Sequence, residues 1–133
     1  MSRRRLSVVF SLILLSATLV LAAQTGGPDL TGIWTGTFTT SDPPDEDPAH
    51  FVLKQTGAEL TGTGGPSAER QYPIAKGKVV TAKEGTTTTF EVAAEGTVMR
   101  FELRLVEGRL RGTATAERDG RKLTAAVDVQ RAK

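Results

Sequence analysis

From Val98 to Val106 apolar and charged side chains take turns. Met99, Phe101, Leu103 and Leu105 occupy one phase, and Arg100, Glu102 and Arg104 the other. A period of two places these sets on opposite faces of an extended strand. Glu107-Gly108 follows as a hairpin turn, and Arg109–Glu117 resumes the alternation with Leu110, Gly112, Ala114 and Ala116 in phase. Asp119-Gly120 is the strongest hairpin signal in the chain, because a two-residue turn of type I′ needs positive φ at both positions. Beyond it, Leu123, Ala125, Val127, Val129 and Arg131 share one face.

The earlier half repeats the pattern less cleanly. Leu30–Thr40 aligns Leu30, Gly32, Trp34, Gly36 and Phe38. Phe51 and Leu53 mark a second strand, Thr56-Gly57-Ala58 a turn, and Leu60–Thr63 a third strand. Tyr72–Thr81 is a fourth, edged by Pro73 and irregular at Gly77, and Thr86–Ala93 is a fifth. With the last three this predicts eight strands and no sustained helical stripe. Short connections make neighbours antiparallel. One apolar face per strand requires a shared interior, and closing the sheet removes its edges. The predicted fold is therefore all-β, an eight-stranded antiparallel up-and-down barrel spanning 30–133, with a two-sheet β-sandwich as the alternative. A barrel embedded in lipid would need apolar residues facing outward. Here the outward set is Arg100, Glu102, Arg104, Arg111, Lys122 and Asp128.

The first 23 residues follow a different rule. Arg3, Arg4 and Arg5 precede an uncharged apolar run, Leu6–Leu21, and Val20-x-Ala22 offers small residues for cleavage. This is the pattern of a secretory signal helix, with a short linker over 24–29. Ser2-Arg3-Arg4-Arg5-Leu6 also resembles a twin-arginine export motif, although the leucine-rich run fits the general secretory route better. A periplasmic or extracellular location follows as an expectation, with no membrane span in the mature chain. No cysteine is present, so neither a disulfide nor a lipid-modified cysteine anchor is expected.

Removing the signal changes the charge. Without Arg3, Arg4 and Arg5 the 17 basic residues fall to 14 against 15 acidic ones, a net of −1. The formal +2 therefore gives no argument for nucleic-acid binding. The charge is unevenly spread. From Gly26 to Glu69 there is one basic residue, Lys54, against seven acidic ones, while from Arg70 onward 13 basic residues face eight acidic ones.

Gly32-Ile33-Trp34 near the start of the predicted barrel resembles the Gly-x-Trp signature of the calycins, the lipocalin and avidin relatives. Thr31-Gly32-Ile33-Trp34, then Phe51, then Leu60-Thr61-Gly62-Thr63 looks especially like the avidin pattern. The resemblance spans roughly Leu30–Thr63. It implies a small barrel and, by analogy with lipocalins, a basic last-strand residue packed over the first-strand Trp, a role Arg131 is in phase to fill beside Trp34. The avidin ligand residues do not carry over. Gly36 stands where that family places an Asn, Gly64 where it places a Tyr, and there is no second Trp. Biotin binding is not expected.

Candidate chemistry is sparse. His50 is the sole histidine and alternates out of phase with Phe51 and Leu53, which predicts a solvated residue at a loop edge. With no cysteine it cannot complete a usual zinc set, and no Gly-x-Ser-x-Gly elbow accompanies it. Asp42, Asp45, Glu46 and Asp47 could offer oxygens to Ca²⁺. Their spacing is not that of an EF-hand loop and three prolines stiffen the stretch, so an exposed acidic loop is the preferred reading. Gly62-Thr63-Gly64-Gly65-Pro66 lacks the Lys-Ser/Thr ending of a phosphate loop and is read as a turn. No catalytic residue and no cofactor are expected.

Many inward positions are small, Gly32, Gly36, Gly62, Gly112, Ala114, Ala116 and Ala125 among them. A filled interior is favoured over a hollow one. The expected function is a non-catalytic binding module, holding an apolar or amphiphilic small molecule at the barrel mouth near Trp34, Phe38, Met99, Phe101 and Arg131. The alternative is a protein-interaction barrel, an exported enzyme inhibitor or a component of the cell envelope.

Overall fold

The computed structural model describes residues 27–41 and 44–132. The expected signal segment Met1–Ala23, the first half of the linker, and Asp42 lie outside them. Eight strands follow one another: β1 (Gly32–Ser41), β2 (Pro44–Thr56), β3 (Glu59–Ser67), β4 (Arg70–Ala82), β5 (Gly85–Ala94), β6 (Thr97–Val106), β7 (Arg109–Arg118) and β8 (Arg121–Arg131). Each pairs antiparallel with the next, and β1 pairs with β8 from Trp34↔Arg131 to Thr39↔Ala126. The sheet is closed, so the sandwich alternative falls. Among the described residues no helix is long and apolar enough to cross a membrane.

The turns explain the meander. Glu95, Glu107 and Asp119 take φ of 51°, 51° and 55°, and each is followed by a glycine, Gly96, Gly108 and Gly120, at 80°, 79° and 75°. Two consecutive positive φ values match the right-handed twist of the flanking strands, which holds each hairpin in register. Glycine also permits the curvature. A Cβ on Gly36 would lie 1.9 Å from the Asp128 carbonyl oxygen, and one on Gly112 would lie 1.9 Å from that of Glu102. At both places the strand bends until the neighbouring backbone occupies the space of a side chain.

Two segments differ from their expected form. Pro44–Pro48 is the first part of β2 rather than a loop, running from Ser41↔Pro44 to Thr37↔Pro48 against β1. Proline is tolerated there because the β2–β3 register begins only at His50↔Gly65, so this stretch has a neighbour on one side alone. Gly62–Pro66 likewise lies within β3 instead of forming a turn. Gly62, at φ 130°, and Gly65 would each place a Cβ 1.9 Å from a carbonyl oxygen of a neighbouring strand. The glycines here serve close approach rather than chain reversal. The expected irregularity near Gly77 is present as a register shift between Ala75 and Lys78.

Alternate side chains enter a common core. Trp34, Phe51, Leu53, Leu60, Phe90, Phe101, Leu103, Leu110, Val127 and Val129 are buried, with Phe38, Met99 and Leu105 packed against them. Phe51 sits edge-on to Phe90 and Phe101 at centroid distances of 5.7 and 5.5 Å, while Phe90 and Phe101 stack at 4.8 Å. Both are favourable arrangements for ring quadrupoles. Gly64 makes room for this cluster, since a Cβ there would meet the Phe51 ring at 2.6 Å. Charged residues occupy the outside, where Arg109 pairs with Asp128 at 2.8 Å and Arg100 with Glu91 at 3.1 Å.

Candidate functional site

The two ends of the barrel are built differently. At the end where β1 begins, Leu30 is 0% exposed and Trp34 1%. The Trp34 Nε1–H donates to the Leu30 carbonyl at 2.9 Å, so the indole is satisfied without water. The Leu30 N–H donates to Gln55 Oε1 at 2.8 Å, and the Gln55 N–H donates to Thr31 Oγ1 at 2.9 Å. These bonds hold residues 29–31 as a strap against β2. The Arg131 guanidinium lies 4.6 Å from the centroid of the Trp34 ring and donates to the carbonyls of Thr31 and Asp29. The last-strand cation expected beside Trp34 is therefore in place, and it ties the chain's last strand to the strap. This end is plugged.

One carboxylate belongs to the plug. Asp29 Oδ1 accepts the Thr31 N–H at 3.0 Å and the Thr31 hydroxyl at 2.7 Å. The Thr31 backbone donor, then its hydroxyl, and to a smaller degree the Arg131 charge hold the Asp29 carboxyl below its ordinary value of 3.8. A depressed folded-state value stabilises the fold above the unfolded value and loses that contribution as the pH falls through the folded one. The strap is accordingly expected to loosen below about pH 3.8. Trp34 emission followed from pH 5 downward should report this, and Asp29→Asn should flatten that part of the profile.

At the opposite end the interior opens. Two adjoining cavities there share Phe38, Asp47, Ala94 and Met99 in their walls. The first, about 240 Å³, is lined by Phe38, Phe51, Tyr72, Phe101 and Asp47 among others. The second, about 340 Å³, runs along Ala114, Ala116, Leu123 and Ala125, with Glu95 and Arg118 also in its walls. The register accounts for the second. Met99, Ala116 and Leu123 form one cross-strand row, and Phe101, Ala114 and Ala125 the next, so methyl-sized side chains stand where the rest of the barrel carries rings and branched chains. The interior is filled through the aromatic cluster and hollow above it.

The structure thus divides the expected ligand-binding set. Phe38, Met99 and Phe101 converge at the open end, with Phe38 and Phe101 centroids 6.0 Å apart. Trp34 and Arg131 converge at the plugged end. Trp34 and Phe38 face the same interior, yet four residues of strand separate them by roughly 13 Å along β1. Alternation assigns a side; only the register assigns a height. Asp47 and Tyr72 join the lining although sequence reasoning does not single them out. Asp47 is in phase with the buried Ala49 and Phe51, a signal obscured by the prolines around it.

The remaining candidates do not assemble a centre. Asp45 and Asp47 alternate with Glu46 along β2, which directs them to opposite faces of the strand. Asp42 of the same expected Ca²⁺ set lies outside the described residues, and among those described no group of three or more His, Asp or Glu side chains could hold a metal ion. His50 lies inside β2 rather than at a loop edge, on the outward phase and half-buried, where its carbonyl accepts the Gln71 side-chain amide at 3.0 Å.

Fold and site together define a small up-and-down β-barrel, plugged at one end and hollow at the other. No protein-family model, no curated protein and no solved structure matches the chain.

Proposed function

We propose that the chain is an exported, non-catalytic binding module that takes an apolar or amphiphilic small molecule into the open end of its barrel. The single observation behind this is the pair of cavities above the aromatic cluster, walled by Phe38, Met99 and four residues no larger than leucine. A concave, mostly apolar site with few polar groups at its edge suits such a ligand. The signal-like Arg3–Leu21 segment supports export. Gly32-Ile33-Trp34 and the cation of Arg131 over Trp34 support a calycin-like relationship.

Trp34 is shut away at the plugged end, so its emission is a poor reporter of ligand. The neutral dye N-phenyl-1-naphthylamine, which brightens in apolar surroundings, reads the open end directly. Saturable enhancement with micromolar affinity is expected. Ala125→Phe, which puts a ring into the second cavity beside Ala114, should weaken it at least tenfold while far-UV circular dichroism stays unchanged. A dark titration, or an Ala125→Phe variant that binds equally well, would rule the module out.

A further inference from the structure

The first cavity has a composition that an apolar ligand alone does not require. Phe38, Phe51, Tyr72 and Phe101 contribute four aromatic rings to its wall, and Asp47 is its one charged residue among those described. The Asp47 carboxylate has no ion pair or hydrogen bond among the described residues. Aromatic rings together with a free carboxylate form a site for a weakly hydrated cation, since ring faces are negative and the carboxylate supplies the counter-charge. A hydrocarbon needs no carboxylate, and an anion would be repelled by it.

The second cavity continues from the first across Phe38, Asp47, Ala94 and Met99 and runs along Ala114, Ala116, Leu123 and Ala125, with Glu95, Arg118 and four threonines also in its walls. Head and tail of one molecule would therefore meet different walls. Charge on a larger scale agrees. Of the acidic residues between Gly26 and Glu69, Asp29 and Glu59 belong to the plugged end, whereas Asp45, Glu46 and Asp47 follow one another along β2 at the open end. This wall of the entrance attracts cations before any contact is made.

Building on the binding function proposed above, we infer that the ligand is a cationic amphiphile: an alkylated ammonium head seated against Asp47 and the rings of Phe38 and Tyr72, and a hydrocarbon tail along Ala114, Ala116 and Ala125. Octyltrimethylammonium, octanol and octyl sulfate share one tail and differ in head charge. Titrated by calorimetry at low ionic strength and below micelle formation, the ammonium compound is expected to bind about tenfold more tightly than octanol, and octyl sulfate more weakly than either. Added salt should shrink the preference, because an ion pair at an exposed mouth is screened. Asp47→Asn should lower ammonium affinity about tenfold and leave octanol within twofold. Tyr72→Leu, which keeps the volume apolar, should lower the ammonium affinity alone. Asp47 is exposed, so its variant is expected to keep the wild-type melting temperature.

If octanol binds and the ammonium compound gains nothing over it, or keeps its gain in Asp47→Asn, the cationic head is wrong and the apolar binding site stands. A preference for octyl sulfate would transfer the head group to Arg118 and overturn the assignment as well. Should none of the three bind, both the head-group assignment and the binding function fall.

Discussion

Trp34→Ala is expected to be close to unfolding. Truncating a fully buried Trp costs about 3–5 kcal/mol through lost transfer energy and the cavity left behind. The Leu30 carbonyl would also lose its donor, and an unsatisfied buried acceptor costs about 1–3 kcal/mol. The contact with the exposed Arg131 guanidinium adds less, about 0.5–1 kcal/mol. Against a total stability of about 5–15 kcal/mol, this removes a large share. Each kcal/mol moves the melting point of a domain this size by about 4–8 °C, so a fall of at least about 15 °C is expected. Thermal melting by far-UV circular dichroism is the measurement, since the variant lacks the chain's single Trp. Phe38→Ala provides the contrast. That ring is only half-buried and borders the cavities at the open end, so its loss should lower the melting point far less. Equal losses from the two truncations would mean that the ends are not plugged and hollow as described.

Gly36→Ala adds one methyl group where none fits. Its Cβ would sit 1.9 Å from the Asp128 carbonyl oxygen and 2.7 Å from Val129 Cα. Both are backbone atoms of β8, which cannot rotate away as a side chain would. Gly36 pairs with Val129 in the seam that closes the barrel, so the strain falls on the step that removes the sheet's edges. A cost of about 3 kcal/mol, the upper part of the range for an overfilled core, is expected. Opening the seam would expose unpaired N–H and C=O groups on β1 and β8, and such edges associate. Urea denaturation combined with size-exclusion chromatography tests both consequences. Gly120→Ala is the control: nothing lies within 4 Å of its Cβ and only its φ of 75° is unfavourable. It should cost about 1–2 kcal/mol and leave the oligomeric state unchanged. A Gly36→Ala variant as stable as Gly120→Ala, and no more associated, would show that β1 can bend elsewhere.

The outer-face charges carry little of this stability. The Arg100–Glu91 and Arg109–Asp128 pairs join solvent-exposed guanidinium groups to carboxylates, and exposed pairs contribute about 0–1 kcal/mol each. What they do contribute is orientation. Placing Arg100, Glu102 and Arg104 in water commits Phe101 and Leu103 to the core, and a register slip by one residue would reverse both sets.

Much of the candidate site was legible, though in pieces. Phe38, Met99 and Phe101 could be assigned to the interior from alternation alone, while Arg131 could be set beside Trp34 only through the resemblance to lipocalins, its phase on the last strand allowing that role. Asp47 escaped because Pro44 and Pro48 speak against a strand locally, and only the missing neighbour on the β3 side makes them acceptable. Gly62–Pro66 escaped for the same kind of reason. Glycines at a turn and glycines at a close approach look alike in one dimension, and what separates them is the carbonyl of the facing strand.

The amino-acid sequence by itself determined the number of strands, the faces of the clearly alternating segments such as Met99–Leu105 and Leu123–Arg131, and the tight reversals at Glu107-Gly108 and Asp119-Gly120. These are local consequences of a two-residue period and of backbone angles that glycine allows. The sequence also favoured closure over a sandwich, but the register in which β1 meets β8, the strap that seals Trp34, and the height at which Phe38 meets Asp47 were decided by tertiary structure alone. Each depends on how far strands slide past one another before they pair. That offset is set by the bends at Gly36 and Gly112 and by the filling of the aromatic cluster, which bring together residues from opposite ends of the chain.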